Sequence, residues 1–507
     1  MVSKFYSIGL FGISPYTVTV EADVSGGMFA FDIVGVPDTA VKEAKNRVRA
    51  AAKNSGYAFP SSRITVNLAP ADLKKEGSLY DLPILLAVLR SAKVFEGEFL
   101  DCAFVGEVSL DGRVVPVNGV LAMALHAKES GIKRLFVPFD NATEAAVVDG
   151  IEVYGVRTVY ECVSHLKGEM KMEVIPHRLP TAKDSEYSVD FAEVKGLALP
   201  KKALEIAAAG SHNLLMIGPP GSGKSMLAKR FPTILPDMTL EESIETTKIH
   251  SVAGTLPKNS SLLTRRPFRS PHHTISVAGL AGGGTNPRPG EISLAHGGVL
   301  FLDEFPEFSR TAMEALRAPI EDGEVVISRV AATVKYPCNF TLIAAMNPCP
   351  CGFYGHPSKP CHCSEAAVAK YLSKISGPML DRLDIHVEVP PINYKEMTGE
   401  GKERTSAQIK EQVDRARKIQ LERYKNEKIN CNGDLTGSLI KKYCAVTPAA
   451  EQMLHKAFDS MGMSARAYDR ILKVARTAAD LDGAEVIDLN HIALAIQFRT
   501  LDKKYFN

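Results

Sequence analysis

A chain of 507 residues, 45% apolar and 23% charged, has the make-up of an ordinary globular protein and the length for about three domains, each with its own core. Its 60 Lys plus Arg against 58 Asp plus Glu leave a net charge of +2, so any nucleic-acid surface has to be local. No run approaches the roughly 18 apolar residues of a membrane span and the first residues lack a signal-peptide pattern, so the expectation is a cytoplasmic protein with no membrane segment.

In chain order, residues 1–167 read as short strands alternating with helices. TVTVEADV, ITVNLAP, FVGEVSL, DGRVVPV and RLFVP carry strand patterning, and helices are predicted over 39–55, 82–90 and 121–129. That composition predicts an α+β or α/β domain. Residues 168–190 lose periodicity and gain Pro and charge, as a linker does. A second domain is predicted over 191–391. The remainder, 392–507, opens with a polar helix and ends in three short helices with apolar faces, at TPAAEQMLHKAF, ARAYDRILKVARTAADL and LNHIALAIQF.

The apolar run 214–217 leads into GPPGSGKS, which comprises Gly218, Pro219, Pro220, Gly221, Ser222, Gly223, Lys224 and Ser225. A buried strand, a Gly-rich turn and a Lys-Ser pair opening a helix supply what a triphosphate needs: curled backbone N–H groups and a positive helix end. Lys224 would reach the β- and γ-phosphates of ATP, and the Ser225 hydroxyl would ligate Mg²⁺. GGVLFLDE, at 297–304, is an apolar strand ending in two carboxylates. Asp303 would join the Mg²⁺ shell and Glu304 would act as general base on the attacking water. FTLIAAMNP ends in Asn347, a neutral polar group where strand tips would converge on the γ-phosphate. In MLDRLDIHVEVP, Arg382 stands between two acids, and by itself suits a local salt bridge as well as catalysis.

Nine cysteines are an odd number, and four of them crowd into CPCGFYGHPSKPCHC. Cys349, Cys351, Cys361 and Cys363 form two Cys-x-Cys pairs across a nine-residue loop, a set of soft thiolates suited to structural, tetrahedral Zn²⁺; His356 or His362 could replace one thiol. The other cysteines read as core thiols in a reducing compartment.

The order of P-loop, acidic strand, Asn-ended strand, LDRLD and a helical domain carrying SARAYDR is that of AAA+ ATPases. The wording FRSPHHTIS, PGEISLAHGGVLFLDE, LRAPIEDGEV, NPCPCG and SARAYDRILKVARTAADL resembles the YifB/ComM family of magnesium-chelatase-like ATPases. FDIVGVPDTAVKEAKNRVRAA and RITVNLAPADLKKEGSLYDLPI extend the resemblance over nearly the whole chain. It implies an α/β fold: an AAA+ P-loop module with a C-terminal helical lid. Arg382 then matches the arginine finger inserted into a neighbour's ATP site, and Arg466 the sensor-2 arginine of the lid, with Arg470 on the same helical face. A finger acting in trans implies a homo-hexamer.

The stretch GEVSLDGRVVPVNGVLAMALHAKESGIKRLFVP looks like the proteolytic domain of Lon, an α+β, ribosomal protein S5 domain 2-like fold. Where the Lon pattern has its catalytic lysine this chain has Leu121, and although Ser78 is present in KKEGSLYDLP, a serine without a base is inert. A non-proteolytic collar is expected.

Residues 246–290 contain no Asp or Glu but include Lys248, Lys258, Arg265, Arg266, Arg269, Arg288 and three histidines, a local footprint for phosphates. VVISRVAATVKYP, at 325–337, also lacks acids and carries Arg329 and Lys335. In relatives, segments at both positions project toward a central pore. With few aromatics beside them, these cations favour tracking of a DNA backbone over base stacking. Two readings follow from the resemblance. One is a hexameric DNA motor, a helicase promoting branch migration during recombination and natural transformation, with recombination proteins as partners. The other is a chelatase-type ATPase that remodels a protein.

Overall fold

The structure, a computed structural model, describes residues 2–179, 187–257, 260–284, 287–329, 332–391 and 403–506, with the side chains of 329, 332, 461, 502 and 503 outside that set. Part of the expected linker, Lys258, and the start of the expected lid therefore lie outside the described residues.

The N-terminal unit is built on a sheet of β1 (Ser3–Phe11), β2 (Ser14–Ser25), β3 (Ala30–Val34), β4 (Arg63–Ala69), β5 (Cys102–Phe104), β8 (Arg134–Pro138), β9 (Glu152–Val156) and β10 (Val174–Ile175), in the order β10-β9-β8-β5-β1-β2-β4-β3. A two-stranded ribbon, β6 (Glu107–Val108) and β7 (Val114–Val115), sits beside it. Strand side chains alternate between faces, and here each face has its own core: Phe136 packs with α1 (Thr39–Asn54) and α2 (Asp81–Ser91), whereas Leu135 and Val137 pack with α3 (Val120–Glu129). Burial on both faces is why RLFVP reads as a continuous apolar run. α1 starts where the Asp38 side chain accepts a 2.7 Å bond from the Val41 N–H.

The second unit holds a parallel five-stranded sheet of β11 (Leu214–Ile217), β12 (Phe268–Arg269), β15 (Val299–Leu302), β18 (Thr341–Met346) and β19 (Ile385–Glu388), ordered β12-β15-β18-β11-β19. Short ladders β13 (Gly282–Gly283) with β14 (Arg288–Pro289), and the hairpin β16 (Glu324–Arg329) with β17 (Ala332–Pro337), stand outside it. α4 (Ala198–Gly210), α5 (Lys224–Arg230) and α6 (Leu240–Ala253) surround the sheet. In an open parallel sheet, ligands bind outside the carboxyl ends of the strands. Three successive strand ends, those of β11, β15 and β18, deliver the P-loop, Asp303-Glu304 and Asn347 to that edge.

The C-terminal helices α7 (Ser406–Arg423), α8 (Pro448–Met461), α9 (Ala465–Leu481) and α10 (Leu489–Gln497) share one core with α4 and one face of β11. The lid is pinned by a buried polar chain: His212, just after α4, bonds Asp384 at 3.1 Å and Thr477 of α9 at 2.7 Å. The N-terminal unit docks on α6, where Gly119 N–H donates to Ser251 O at 3.2 Å. Among the described residues, no helix is long and apolar enough to cross a membrane.

Candidate nucleotide site and its surroundings

β11 is wholly buried, which fixes the start of the loop that follows. A Cβ on Gly218 would sit 2.2 Å from Val389 O, and Gly223 caps α5 at φ +93°, so both positions demand glycine. Lys224 Nζ bonds Gly218 O at 2.7 Å, Pro219 O at 2.9 Å and Asn347 Oδ1 at 3.2 Å. Burial pulls its ammonium down to about 8, only partly opposed by Asp303. The lysine thus spans the mouth of its own loop with a charge short of anionic partners, and the buried Ser222 Oγ has no hydrogen-bond partner among the described residues. Both features fit a triphosphate.

Ser225 Oγ donates to Asp303 Oδ2 at 2.6 Å. A hydroxyl and a carboxylate so close are the donor set of a Mg²⁺ ion that keeps several waters, and these two residues would hold it. Glu304 adopts a left-handed conformation, φ +52°, with its N–H on Asp303 Oδ1 at 3.0 Å. That kink turns the exposed carboxylate away from the strand and toward His273, whose Nδ1 lies 3.1 Å from Oε2. The His273 ring lies against that of His272, tilted by 34°, with centroids 4.1 Å apart. The sequence pattern counted His273 only among the cations of its segment; nothing in its spacing marked it as the partner of Glu304.

Arg382 and Arg466 lie elsewhere. Asp384 N–H bonds Asn213 O at the amino end of β11, so Arg382 stands at the sheet edge opposite the P-loop. It pairs with Glu321 at 2.5 Å, and its Nε is buried without a partner among the described residues. Arg466 and Arg470 approach the Asp381 carboxylate at 3.8 and 3.4 Å, and Arg470 also reaches Asp384 at 3.5 Å. All three arginines line one cleft of about 290 Å³. Burial raises the Asp384 carboxyl, but His212, Lys473 and Arg470 outweigh it and hold it below the usual value.

Cys349, Cys351, Cys361 and Cys363 bring their four Sγ atoms within 4.8 Å of one another, with separations of 3.4, 3.7 and 3.6 Å among the first three. Bonds of about 2.3 Å to a tetrahedral zinc put sulfurs roughly 3.8 Å apart, so the set fits. Backbone N–H groups of Phe353 and His362 draw the Cys351 thiol down to about 6. His356 is not in the cluster; its Nδ1 accepts from Ser358 and Lys359 N–H at 3.1 and 3.0 Å.

Two of the expected phosphate-binding cations are spent inside the fold. Arg266 is largely buried and bonds Pro236 O, Gly297 O, Asp237 O and, at 2.9 Å, Glu242. Arg269 makes two bonds to Glu291, at 2.6 and 2.7 Å. The segment has no acids of its own, but at 266 and 269 its neighbours in space supply them. Arg265 remains exposed over the Tyr187 ring, and Lys335, on the expected hairpin, makes an exposed 2.7 Å pair with Glu324. The Arg329 side chain lies outside the described residues.

In the N-terminal unit, Ser78 Oγ donates to the Glu107 carboxylate, and Leu121 is fully buried. The Leu121 N–H donates at 2.8 Å to Glu144, which also accepts from Ser251 of α6.

A parallel sheet with a P-loop, an acidic strand end and a polar strand end at one edge, capped by a helical lid, defines a AAA+ P-loop ATPase. The model "Magnesium chelatase, subunit ChlI" matches residues 190–397, "Subunit ChlI of Mg-chelatase" matches 20–141, and "Magnesium chelatase, subunit ChlI C-terminal" matches 403–499. Among curated proteins, "Competence protein ComM" of Haemophilus influenzae is 42% identical over 505 residues, covering 98% of this chain and 97% of that protein. YifB of Escherichia coli is 40% identical over 500 residues, covering 97% and 96%. Lon protease 2 of Bacillus subtilis is 33% identical over 84 residues, 16% of this chain and 15% of the protease. The chain belongs to the magnesium-chelatase-like AAA+ ATPases, in the ComM/YifB branch, and its N-terminal unit is Lon-like.

Proposed function

We propose that the protein is an ATP-driven DNA motor working as a homo-hexameric ring in the cytoplasm, a helicase promoting branch migration in recombination and natural transformation. The observation that carries the ring is the position of Arg382: at the sheet edge opposite its own P-loop, it completes a site only on a neighbouring subunit, and Arg466 in the same cleft would act with it there. Within each site Lys224 holds the β- and γ-phosphates, Asn347 and Glu304 position the attacking water, and Glu304 takes its proton. Ser225 and Asp303 would hold Mg²⁺, which would supply neutralisation of the phosphate charge. The Cys349/Cys351/Cys361/Cys363 site holds structural zinc. Residues 1–167, 168–190, 191–391 and 392–507 serve as a non-proteolytic collar, linker, motor core and lid.

DNA as the substrate draws support from the name of the Haemophilus influenzae relative, a competence protein, and from Arg265 and the hairpin that carries the exposed Lys335. A protein substrate is the second reading, favoured by the internal pairing of Arg266 and Arg269, which thins the phosphate-binding footprint. ATPase rate with and without single-stranded and branched DNA, across a salt series, separates them. Stimulation that fades steeply with salt and is weakened by Arg265→Ala/Lys335→Ala supports the DNA motor. Normal basal turnover without stimulation rejects it, and the partner is then sought on rings trapped by Glu304→Gln.

A further inference from the structure

The loop of the thiolate cluster and the nucleotide loop approach each other closely at Gly352 and Pro220. Gly352, between Cys351 and the rest of the loop, has φ +84°, and a Cβ placed on it would lie 2.5 Å from Pro220 Cδ and 2.7 Å from Pro220 Cγ. The same Cβ would lie 3.8 Å from Cγ of Asn347, the residue that holds Lys224. The Gly352 backbone therefore lies flat against the second proline of GPPGSGKS, with no side chain between. On its other side the segment is anchored by Cys349, which is wholly buried in the core containing Met346 and Ile217, the residues that end β18 and β11. Gly352 N–H bonds Cys349 O at 3.0 Å and Tyr354 N–H bonds Cys349 Sγ at 3.3 Å, so the path of the glycine follows the position of the first thiolate.

We infer that Gly352 is a positioning residue for nucleotide binding, through which the state of the four-thiolate site sets the shape of the P-loop at Pro220. The inference rests on the reading of the cluster as a zinc site. Four thiolates held by one ion fix the turn that carries Gly352; without the ion they take up protons, the cross-link is lost and the turn loses its fixed path. A P-loop works by backbone N–H groups curled to fit phosphate oxygens, so a displaced wall at Pro220 lowers affinity without touching a ligand-binding atom.

The test measures zinc content by colorimetric release and, on the same full-length samples, affinity for a fluorescent N-methylanthraniloyl-ADP. Gly352→Ala keeps all four thiols but adds the clashing methyl. Gly355→Ala is the control: its φ is +72° with nothing within 4 Å of a Cβ, so it carries the backbone strain without the contact. The expected result is full zinc in both variants, about tenfold weaker nucleotide binding in Gly352→Ala, wild-type binding in Gly355→Ala, and a matching loss in wild-type protein stripped of zinc. Wild-type affinity in zinc-replete Gly352→Ala, or equal weakening in Gly355→Ala, overturns the inference and leaves the zinc reading standing. Protein that neither contains nor takes up zinc overturns both. If Gly352→Ala loses zinc, Gly352→Ala/Pro220→Ala decides: recovery of zinc and affinity supports the contact, and no recovery overturns it.

Discussion

His273 Nδ1 lies 3.1 Å from Glu304 Oε2, and that pairing sets where the proposed general base points. Because Glu304 sits in a left-handed kink after β15, its carboxylate is aimed by what it bonds and not by the strand. A carboxylate occupied by an imidazole is not free to take a proton from water, so His273→Ala should raise basal ATP turnover up to about fivefold, the equivalent of roughly 1 kcal/mol of hydrogen bond. Nucleotide affinity should not change. Steady-state hydrolysis checks this, and a fall in rate would show that His273 instead holds the base in its working position. Glu304→Gln should cost roughly a hundredfold or more.

Lys224 gives a pH signature. Burial lowers its ammonium to about 8 in the free protein, and phosphate oxygens restore the charge on binding. Below that value the free lysine is already protonated; above it, nucleotide must bring in a proton. Calorimetry of ADP binding in buffers of different ionisation enthalpy should therefore show uptake of about 0.1 proton at pH 7 and about 0.9 at pH 9, with no such rise in Lys224→Gln if it still binds. Uptake that stays flat across this range would remove Lys224 from the phosphates.

Much of this site is legible from sequence because strand ends and glycine turns are local features: GPPGSGKS, LDE and MNP each follow a buried apolar run. Elements whose logic is long-range are not. β1 escapes the strand pattern because Ser3 and Ser7 share the buried face with Phe5, and Ser3 Oγ is satisfied by Ala87 O at 2.6 Å. FVGEVSL breaks at Gly106, where a Cβ would meet Val114 at 2.7 Å. Arg266 and Arg269 read as free charge because Glu242 and Glu291 lie just outside the acid-free window. Charge counting along a chain does not see acids that folding brings in.

Arg382 at the far sheet edge makes a prediction about mixtures. Arg382→Ala subunits keep an intact P-loop but lack the proposed finger, and Lys224→Ala subunits have the reverse defect. Each alone should be nearly inactive. If assembly is random at equal ratio, about one interface in four combines a working P-loop with a working finger, so about a quarter of the hydrolysis rate should return. No recovery in co-assembled rings would argue that Arg382 does not act across an interface.

The joint between the Lon-like unit and the ATPase core holds, beside the Gly119–Ser251 backbone bond, an enclosed carboxylate. Glu144 Oε1 accepts from Leu121 N–H and from Ser251 Oγ, and Oε2 from Asn141 Nδ2 at 3.3 Å. Glu144 thus ties Leu121 at the start of α3 to Ser251 of α6. Glu144→Ala would leave two buried donors, the Leu121 N–H and the Ser251 hydroxyl, unpaired and should cost about 3 kcal/mol, against about 1 kcal/mol for Ser251→Ala. Burial raises the Glu144 carboxyl above its ordinary value, outweighing the three hydrogen bonds. An acid raised on folding favours the folded state below its unfolded value and loses that contribution as pH climbs through the folded one. The stability gap between wild type and Glu144→Ala, followed by chemical denaturation, should therefore widen as pH falls from 7 toward 5. A gap that narrows over that range would mean that the carboxylate, ionised, is what the joint requires.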